Sequence, residues 1–349
     1  MNGLQILGLA VLLMASALSS LSQTPAYRYI RAGEPADIQA QARPGFALMG
    51  GGTDLDEAFK FLCDRAGGGD FLVLRATGDD EYNFYLRGLC HLNSVATLII
   101  PNRGAAANPF VSDAIKQASA IFIAGGDQAN YINFWMDTPV QTALNDAIRR
   151  GVPIGGTSAG LAVMGDYVYT AQGDKPDDPN LDGKTALADP YSPRITLGGK
   201  FLNIPILKDV ITDTHFARRD RMGRLLVFLA RLNEPDGQPV PANAPTVRGI
   251  GVEERAAILL EPDGKARVVG YGAAYFIDAD RGSGLLLDTE HRLGVMAAHK
   301  PLTYGPFTVQ KVGPGADFYI KSWAGDGITY KLSVEAGKIH STQTANEIY

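Results

Sequence analysis

Val152-Pro-Ile-Gly-Gly-Thr-Ser-Ala-Gly-Leu-Ala-Val-Met164 decides the reading of this chain. An apolar, strand-like run ends at Ile154, the pattern Gly156-Thr-Ser-Ala-Gly160 follows, and helix-favouring Leu161 to Met164 come next. A strand that turns sharply into a helix is a nucleophile elbow. The bend exposes the Ser158 hydroxyl and aims the Ala159 amide at the place where an oxyanion would develop. Glycines are expected on both flanks because a side chain there would strike the neighbouring strand or helix. Forty glycines make a bare G-x-S-x-G match weak evidence. The strand before it and the helix after it give the pattern its weight, against the alternative of a merely tight turn.

Outward from the elbow, strand-like runs at Phe46-Met49, Phe71-Leu74, Val95-Ile100 and Ala120-Ile123 alternate with amphipathic helical patterns. The helices are predicted at Asp54-Arg65, Tyr82-Leu89, Pro109-Ala118 and Pro139-Arg150. Such alternation predicts an α/β fold with a mostly parallel sheet covered on both faces and ligands at the carboxyl ends of the strands. Gly50-Gly-Gly-Thr53, Ala76-Thr-Gly-Asp79, Gly125-Gly-Asp-Gln128 and Gly156-Thr-Ser158 sit at those ends and would line one crevice. The Gly50-Gly52 run lacks the spacing of a phosphate-binding loop or dinucleotide fingerprint. Polar Gly173-Lys184 reads as a surface loop or lid, and proline-rich Asn233-Thr246 as a loop after a helix Arg219-Leu232. Beyond about residue 280, short alternating runs at Phe307-Val312, Phe318-Trp323 and Thr329-Val334 predict a small β-rich C-terminal extension.

The 349 residues carry a net charge of −5 with both signs interspersed, so no nucleic-acid footprint is expected. Residues 1–22 read as a secretory signal peptide, with an apolar core from Leu4 to Leu18 and small residues after it. The core falls short of the roughly 20 residues of a membrane span, which argues against stable membrane association. The segment has no Lys or Arg, so an uncleaved anchor is the alternative. A secreted protein, periplasmic or extracellular, is expected, with an α/β domain over 23–279 and the β-rich part over 280–349. Cys63 and Cys90 are the only cysteines, too few for a closed zinc site. They read equally as a disulfide pair or as buried thiols.

A serine hydroxyl needs a base within hydrogen-bond reach, itself oriented by a carboxylate. Five histidines compete. His91 adjoins a core strand and reads as structural, and His291, His299 and His340 fall in the C-terminal part. His215 stands after the apolar run Ile204-Ile211 and before an arginine-rich segment, and is the candidate base. Asp213, Glu253 and Glu254 are alternatives for the acid. An order of Ser, His, acid would differ from that of α/β-hydrolases, which disfavours an ordinary esterase. Arg218, Arg219, Arg221 and Arg224 are either a solvated face or a set of guanidinium forks for substrate carboxylates.

Four segments together resemble one family: Phe122-Ile-Ala-Gly-Gly-Asp-Gln128, Gly155-Gly-Thr-Ser-Ala-Gly160, Thr212-Asp-Thr-His-Phe-Ala-Arg-Arg-Asp-Arg-Met-Gly-Arg-Leu225 and Gly249-Ile-Gly-Val-Glu-Glu254. Their order and spacing, within about Gly45 to Ala274, are similar to those of cyanophycinases, serine exopeptidases of peptidase family S51. The resemblance implies a flavodoxin-like three-layer sandwich related to class I glutamine amidotransferases. It also implies Ser158 as nucleophile, His215 as general base and Glu254 as the orienting acid, with Glu253 the acidic residue before it. Gln128, Asp213, Thr214, Arg219, Arg221 and Arg224 fall at substrate-binding positions, and the amides of Gly126 and Ala159 at the oxyanion hole. The family's glutamine before the histidine is Thr214 here, which bears on substrate identity more than on reaction type.

The implied activity is hydrolysis of cyanophycin, a polyaspartate backbone with arginine on each side-chain carboxyl, to β-aspartyl-arginine dipeptides through an acyl-enzyme. No metal or cofactor is called for. The alternatives are an aspartyl dipeptidase or isopeptidase acting on other peptides, β-aspartyl ones among them, and, in another class, a non-catalytic binder of anionic peptides. The apolar C-terminal runs leave a homodimer open beside the reading that they cover the sheet.

Overall fold

The computed structural model describes residues 26–175, 177–178, 180–234, 245–279 and 299–349. The signal-peptide segment, His291, the start of the C-terminal part and most of the loop after Asn233 lie outside the described residues. The first half alternates as follows: β1 (Arg28–Gly33), β2 (Phe46–Met49), α1 (Asp56–Arg65), β3 (Asp70–Arg75), α2 (Glu81–Leu89), β4 (Ser94–Ile99), α3 (Arg103–Ala106), α4 (Pro109–Gln117), β5 (Ala120–Ile123), α5 (Gln128–Trp135), α6 (Pro139–Arg149), β6 (Ile154–Thr157) and α7 (Ala159–Ala162). Then come β7 (Tyr167–Tyr169), α8 (Gly183–Ala188), β8 (Leu197–Gly199), β9 (Val210–Asp213), α9 (Met222–Asn233), β10 (Arg248–Val252), β11 (Ala256–Leu260), β12 (Lys265–Gly270) and β13 (Ala274–Ala279). The rest is β14 (Tyr304–Val312), β15 (Asp317–Tyr319), β16 (Ala324–Gly325), β17 (Ile328–Glu335) and β18 (Lys338–Ser341).

These strands form two sheets, ordered β1-β4-β3-β5-β6-β2-β11-β12-β15-β16 and β18-β17-β14-β13-β10-β9-β7-β8. The chain is therefore mixed α/β, and the expected mostly parallel sheet is corrected. Parallel pairing runs through β4-β3-β5-β6-β2 and through β10-β9-β7, while antiparallel strands flank both blocks. The parallel block is apolar on both faces, as a sheet covered on both sides requires. Ala47, Phe71, Val73 and Phe122 pack with Phe59 and Leu62 of α1, and Leu48, Leu72, Leu74, Ile121 and Ile123 pack toward the helices α4 and α6. On the second sheet, Leu225, Phe228 and Leu229 of α9 pack against Tyr275, Ile277 and Val309. The C-terminal strands divide between the sheets: β14, β17 and β18 extend the second from β13, and β15 and β16 extend the first from β12.

Helix starts follow local chemistry. Asp127 caps α5 by accepting from the Ala129 N–H at 2.9 Å, and Thr138 caps α6 just before Pro139. Asp56 and Glu57 in the first turn of α1, with Arg65 in the last, suit the helix dipole. Cys63 of α1 and Cys90, just past α2, form a disulfide that staples these two helices. Among the described residues no helix is long and apolar enough to cross a membrane.

Candidate active site

The loops that carry the chemistry leave the carboxyl ends of β2, β5 and β6 in the first sheet and of β9 and β10 in the second. Ser158 occupies the turn between β6 and α7 with φ 52° and ψ −117°, a conformation that costs a non-glycine residue on the order of 1–3 kcal/mol. The glycines on either side permit it through close packing. A Cβ on Gly156 would lie 2.6 Å from the Gly160 carbonyl carbon, and one on Gly160 would lie 2.0 Å from the Ile123 carbonyl oxygen. Ala159, the next residue, begins α7 and presents its amide at the helix N-terminus.

His215 follows β9, also at positive φ, and its N–H donates to the Gly50 carbonyl at 2.7 Å. Glu254 sits at the corner where the chain leaves β10 in the second sheet and enters β11 in the first. Ser158 Oγ lies 2.7 Å from His215 Nε2, and His215 Nδ1 lies 2.6 Å from Glu254 Oε1. With Glu254 as acceptor, Nδ1 carries the proton and Nε2 is left to accept from the serine hydroxyl. Burial lowers the His215 pKa, as do Arg219 and Arg221, while the hydrogen bond to Glu254 raises it; the net direction is down. The imidazole is therefore neutral at pH 7, the state a general base requires.

Glu253 faces away from this relay, accepting from the Ala273 N–H at 2.9 Å and from the Tyr275 hydroxyl at 2.6 Å. Of the three candidate acids, Glu254 alone among the described residues meets His215. Asp213 takes both Nε and a terminal nitrogen of Arg224 in a buried bidentate pair, with Arg221 Nη1 3.6 Å away. Thr214 is equally buried, and its carbonyl and hydroxyl accept from Arg221 Nη1 at 2.9 and 3.2 Å. Both residues were expected to touch substrate, and both instead stand behind the arginines and hold them.

Arg221 and Arg224, with Gly126 and Gln128, line a cavity of about 430 Å³. Gly125, beside Gly126, abuts Ser158: a Cβ there would be 3.6 Å from Ser158 Cβ. Arg221 is 5% exposed, and among the described residues its Nε has no acceptor. Burial, then Arg224, push its pKa down to about 9, so it remains charged at neutral pH. Arg219 is more exposed, 4.0 Å from Glu254 Oε1, and Arg218 is exposed. The stretch expected as a loop or lid contributes to the cavity wall: Asn180 Oδ1 accepts from Arg221 Nη2 at 3.4 Å and the Leu181 carbonyl from Arg224 Nη1 at 3.0 Å. The loop 76–79 does not line it; its carbonyls at Thr77 and Asp79 wrap the Arg75 guanidinium. His91 and His299 are exposed, the latter 3.0 Å from Asp189, and His340 lies 3.8 Å from Glu335. Another cavity of about 390 Å³, walled by Tyr29, Arg31, Asp70 and Phe110, opens at the opposite, amino ends of the strands.

Sequence reasoning missed three supports. Asp54 accepts from the Thr157 hydroxyl at 2.6 Å. The Arg224 guanidinium carbon lies 5.1 Å from the Tyr169 ring centroid. The Tyr349 hydroxyl accepts from the Met222 N–H and donates to Asp220, at the loop between His215 and α9. Only Asp54 left a sequence signal, an acid two residues after the Gly50–Gly52 run.

Comparison with known proteins bears on this site. Residues 91–194, which include Ser158 but neither His215 nor Glu254, match the model of Peptidase family S51. A cyanophycinase of Geminocystis herdmanii is 31% identical over 202 residues, 58% of this chain and 62% of that protein. One of Nostoc sp. is 29% identical over 211 residues, 60% of each chain. The chain thus spans about three fifths of the length of these curated relatives. A solved peptidase from an acI-B1 Actinobacterium aligns with 80% of this chain and 98% of its own, at 17% identity and a TM-score of 0.49. The family-model match over residues 91–194 and the similarity of the surrounding chain to cyanophycinases thus make this chain similar to S51 peptidases.

Proposed function

We propose that this chain is an exported serine exopeptidase that hydrolyses cyanophycin to β-aspartyl-arginine dipeptides. The observation that carries the reading is the continuous relay from Ser158 Oγ through His215 to Glu254, at 2.7 and 2.6 Å, beside a cavity with buried guanidinium groups. Ser158 attacks a backbone carbonyl of a β-linked aspartyl unit while Nε2 of His215 takes its proton. Glu254 holds the imidazole in the required tautomer and stabilises the cation that forms. The amides of Ala159 and Gly126 receive the oxyanion, each such donor being worth roughly 3 kcal/mol of barrier. His215 returns its proton to the leaving amine, and water attacks the acyl-enzyme with His215 again as base.

The cavity suits a substrate with both charges. Arg221 and Arg224 offer buried cations on the cavity wall for a carboxylate, and Asp127 stands on the same wall as an acid, whereas Asp174 and Asp178 there already pair with Arg194. The Cys63–Cys90 disulfide supports export, because such bonds persist in oxidising compartments. A second reading, hydrolysis of short β-aspartyl peptides, is favoured by Thr214. Its hydroxyl is taken by Arg221, so it offers the cavity no side-chain amide or free hydroxyl. The two readings separate when the protein is incubated with cyanophycin and, in parallel, with short β-aspartyl peptides, and products are identified by mass spectrometry. Release of β-aspartyl-arginine from the polymer is the expected result. Turnover of the short peptides alone would transfer the activity to the second reading, and turnover of neither would count against both.

A further inference from the structure

We infer that Asp54 is a positioning residue for the nucleophile, acting through Thr157, an inference that rests on the reading of Ser158 as that nucleophile. An acid at the head of a helix ordinarily caps it or faces water. Asp54 does neither: Leu55 is the N-cap of α1 and has no side-chain cap bond, and the Asp54 carboxylate turns inward. Its Oδ1 accepts from the Thr157 hydroxyl at 2.6 Å and its Oδ2 from the Tyr82 hydroxyl at 2.6 Å. Tyr82 is itself wedged against the rings of Phe59 and Phe122. Thr157 is buried and is the residue bonded to Ser158. Burial pushes the Asp54 carboxyl up, and the hydrogen bonds from Thr157 and Tyr82 pull it back toward the ionised form.

The segment ahead of Asp54 touches the other two members of the relay. The Gly50 carbonyl accepts from the His215 N–H at 2.7 Å, Gly51 packs under the His215 ring, and the Gly51 carbonyl accepts from the Arg255 N–H at 2.9 Å, next to Glu254. Asp54 therefore ties the loop that seats the base and borders the acid to the residue that carries the nucleophile. The consequence is registration. Without the carboxylate, Thr157 loses its anchor and the Ser158 hydroxyl can drift against a base whose hydrogen bond is only 2.7 Å long. Displacements of about 1 Å at such a contact cost on the order of 100-fold in rate.

The test uses Asp54→Ala, Asp54→Asn, Thr157→Val and the double variant Asp54→Ala/Thr157→Val in the full chain, with two readouts. One is the rate at which a fluorophosphonate labels Ser158, and the other is the division of any loss between kcat and KM on the substrate turned over. Asp54→Ala and Thr157→Val are each expected to slow labelling and kcat by about 10- to 100-fold, with KM within about twofold. The double variant should lose little more than either single one, because both remove the same contact. Asp54→Asn should recover part of the rate, since its carbonyl can still accept from Thr157. Thr157→Val, nearly isosteric, keeps the test decisive should Asp54→Ala fail to fold. Wild-type labelling rates in Thr157→Val, or a loss confined to KM, would overturn the inference while leaving Ser158 as nucleophile. A wild-type protein that is folded but never labelled at Ser158 would overturn both.

Discussion

Replacing Gly51 with alanine puts a methyl group where the His215 ring already is. The new carbon would lie 2.5 Å from Cε1, 2.6 Å from Nε2 and 3.1 Å from Nδ1 of that ring. Carbon atoms in contact rest at about 3.5–4.0 Å, so the ring or the loop must retreat by about 1 Å. The loop is poorly placed to yield, since the Gly50 and Gly51 carbonyls accept from the His215 and Arg255 N–H groups at 2.7 and 2.9 Å. Nor is the ring free, being held at 2.7 Å from Ser158 and 2.6 Å from Glu254. A shift of about 1 Å stretches at least one of these bonds beyond the roughly 3.2 Å at which hydrogen bonding is effective. The expected loss in kcat is at least about 100-fold. KM should change by less than about threefold, because Gln128 and Arg221 in the cavity are untouched. Alanine at φ +95° adds backbone strain, and with the overpacking a stability loss of about 1–3 kcal/mol is expected in urea unfolding. Turnover assayed at saturating and limiting substrate, beside circular dichroism to establish the fold, separates the two effects. A folded Gly51→Ala variant with kcat within about threefold of wild type would refute the claim that the ring must stay where it is for turnover.

The remaining predictions concern pH and the disulfide. Because burial and two arginines lower the His215 pKa below its ordinary 6.5, the acid limb of kcat/KM should fall at a pH below that value. The base works when neutral, so activity persists until protonation at the lowered pKa; Arg221→Ala removes one cation and should move the limb upward. A limb above 6.5 in the wild type would contradict this. The same shift acts on stability: the unfolded chain binds this proton more readily than the folded one. The His215 contribution is therefore full above the ordinary value and is lost as pH falls from it through the lowered one, which unfolding curves at several pH values would reveal. Converting both Cys63 and Cys90 to serine opens a loop with a sequence separation of 27 and should cost roughly 3.5 kcal/mol by denaturant unfolding. No loss would mean that the bond does not form in the protein in solution.

Much of this arrangement was legible because local pattern and long-range structure agree there. The strand runs at Phe46-Met49 and Ala120-Ile123 coincide with β2 and β5, and the elbow occupies the turn its glycines require. His215 was reached by elimination, since so few histidines compete. What escaped depends on partners distant in sequence. Nothing in the periodicity of β9 and β10 says that they pair with each other in a second sheet rather than joining the first. The corner from β10 to β11 that places Glu254 beside His215 and turns Glu253 toward Tyr275 was likewise hidden. Both glutamates look alike in one dimension. The helix predicted from Arg219 begins at Met222, because positive φ at His215 and Asp220 keeps the chain in turns until then. Helix α5 was missed because Gly125-Gly-Asp127 reads as the end of a strand loop, although Asp127 is its N-cap. Asp213 and Thr214 looked like substrate contacts through resemblance; their burial behind Arg221 and Arg224 could be seen only in three dimensions.

The central claim is that Ser158 forms a covalent acyl intermediate. The most direct measurement is rapid acid quenching of the wild-type protein with a two-unit β-aspartyl-arginine substrate, followed by intact-mass and peptide-level mass spectrometry. The account predicts a transient ester of β-aspartyl-arginine on the peptide containing Ser158, absent in Ser158→Ala, with dipeptide accumulating as the ester decays. Steady dipeptide release by Ser158→Ala, or an adduct on another residue, would contradict it.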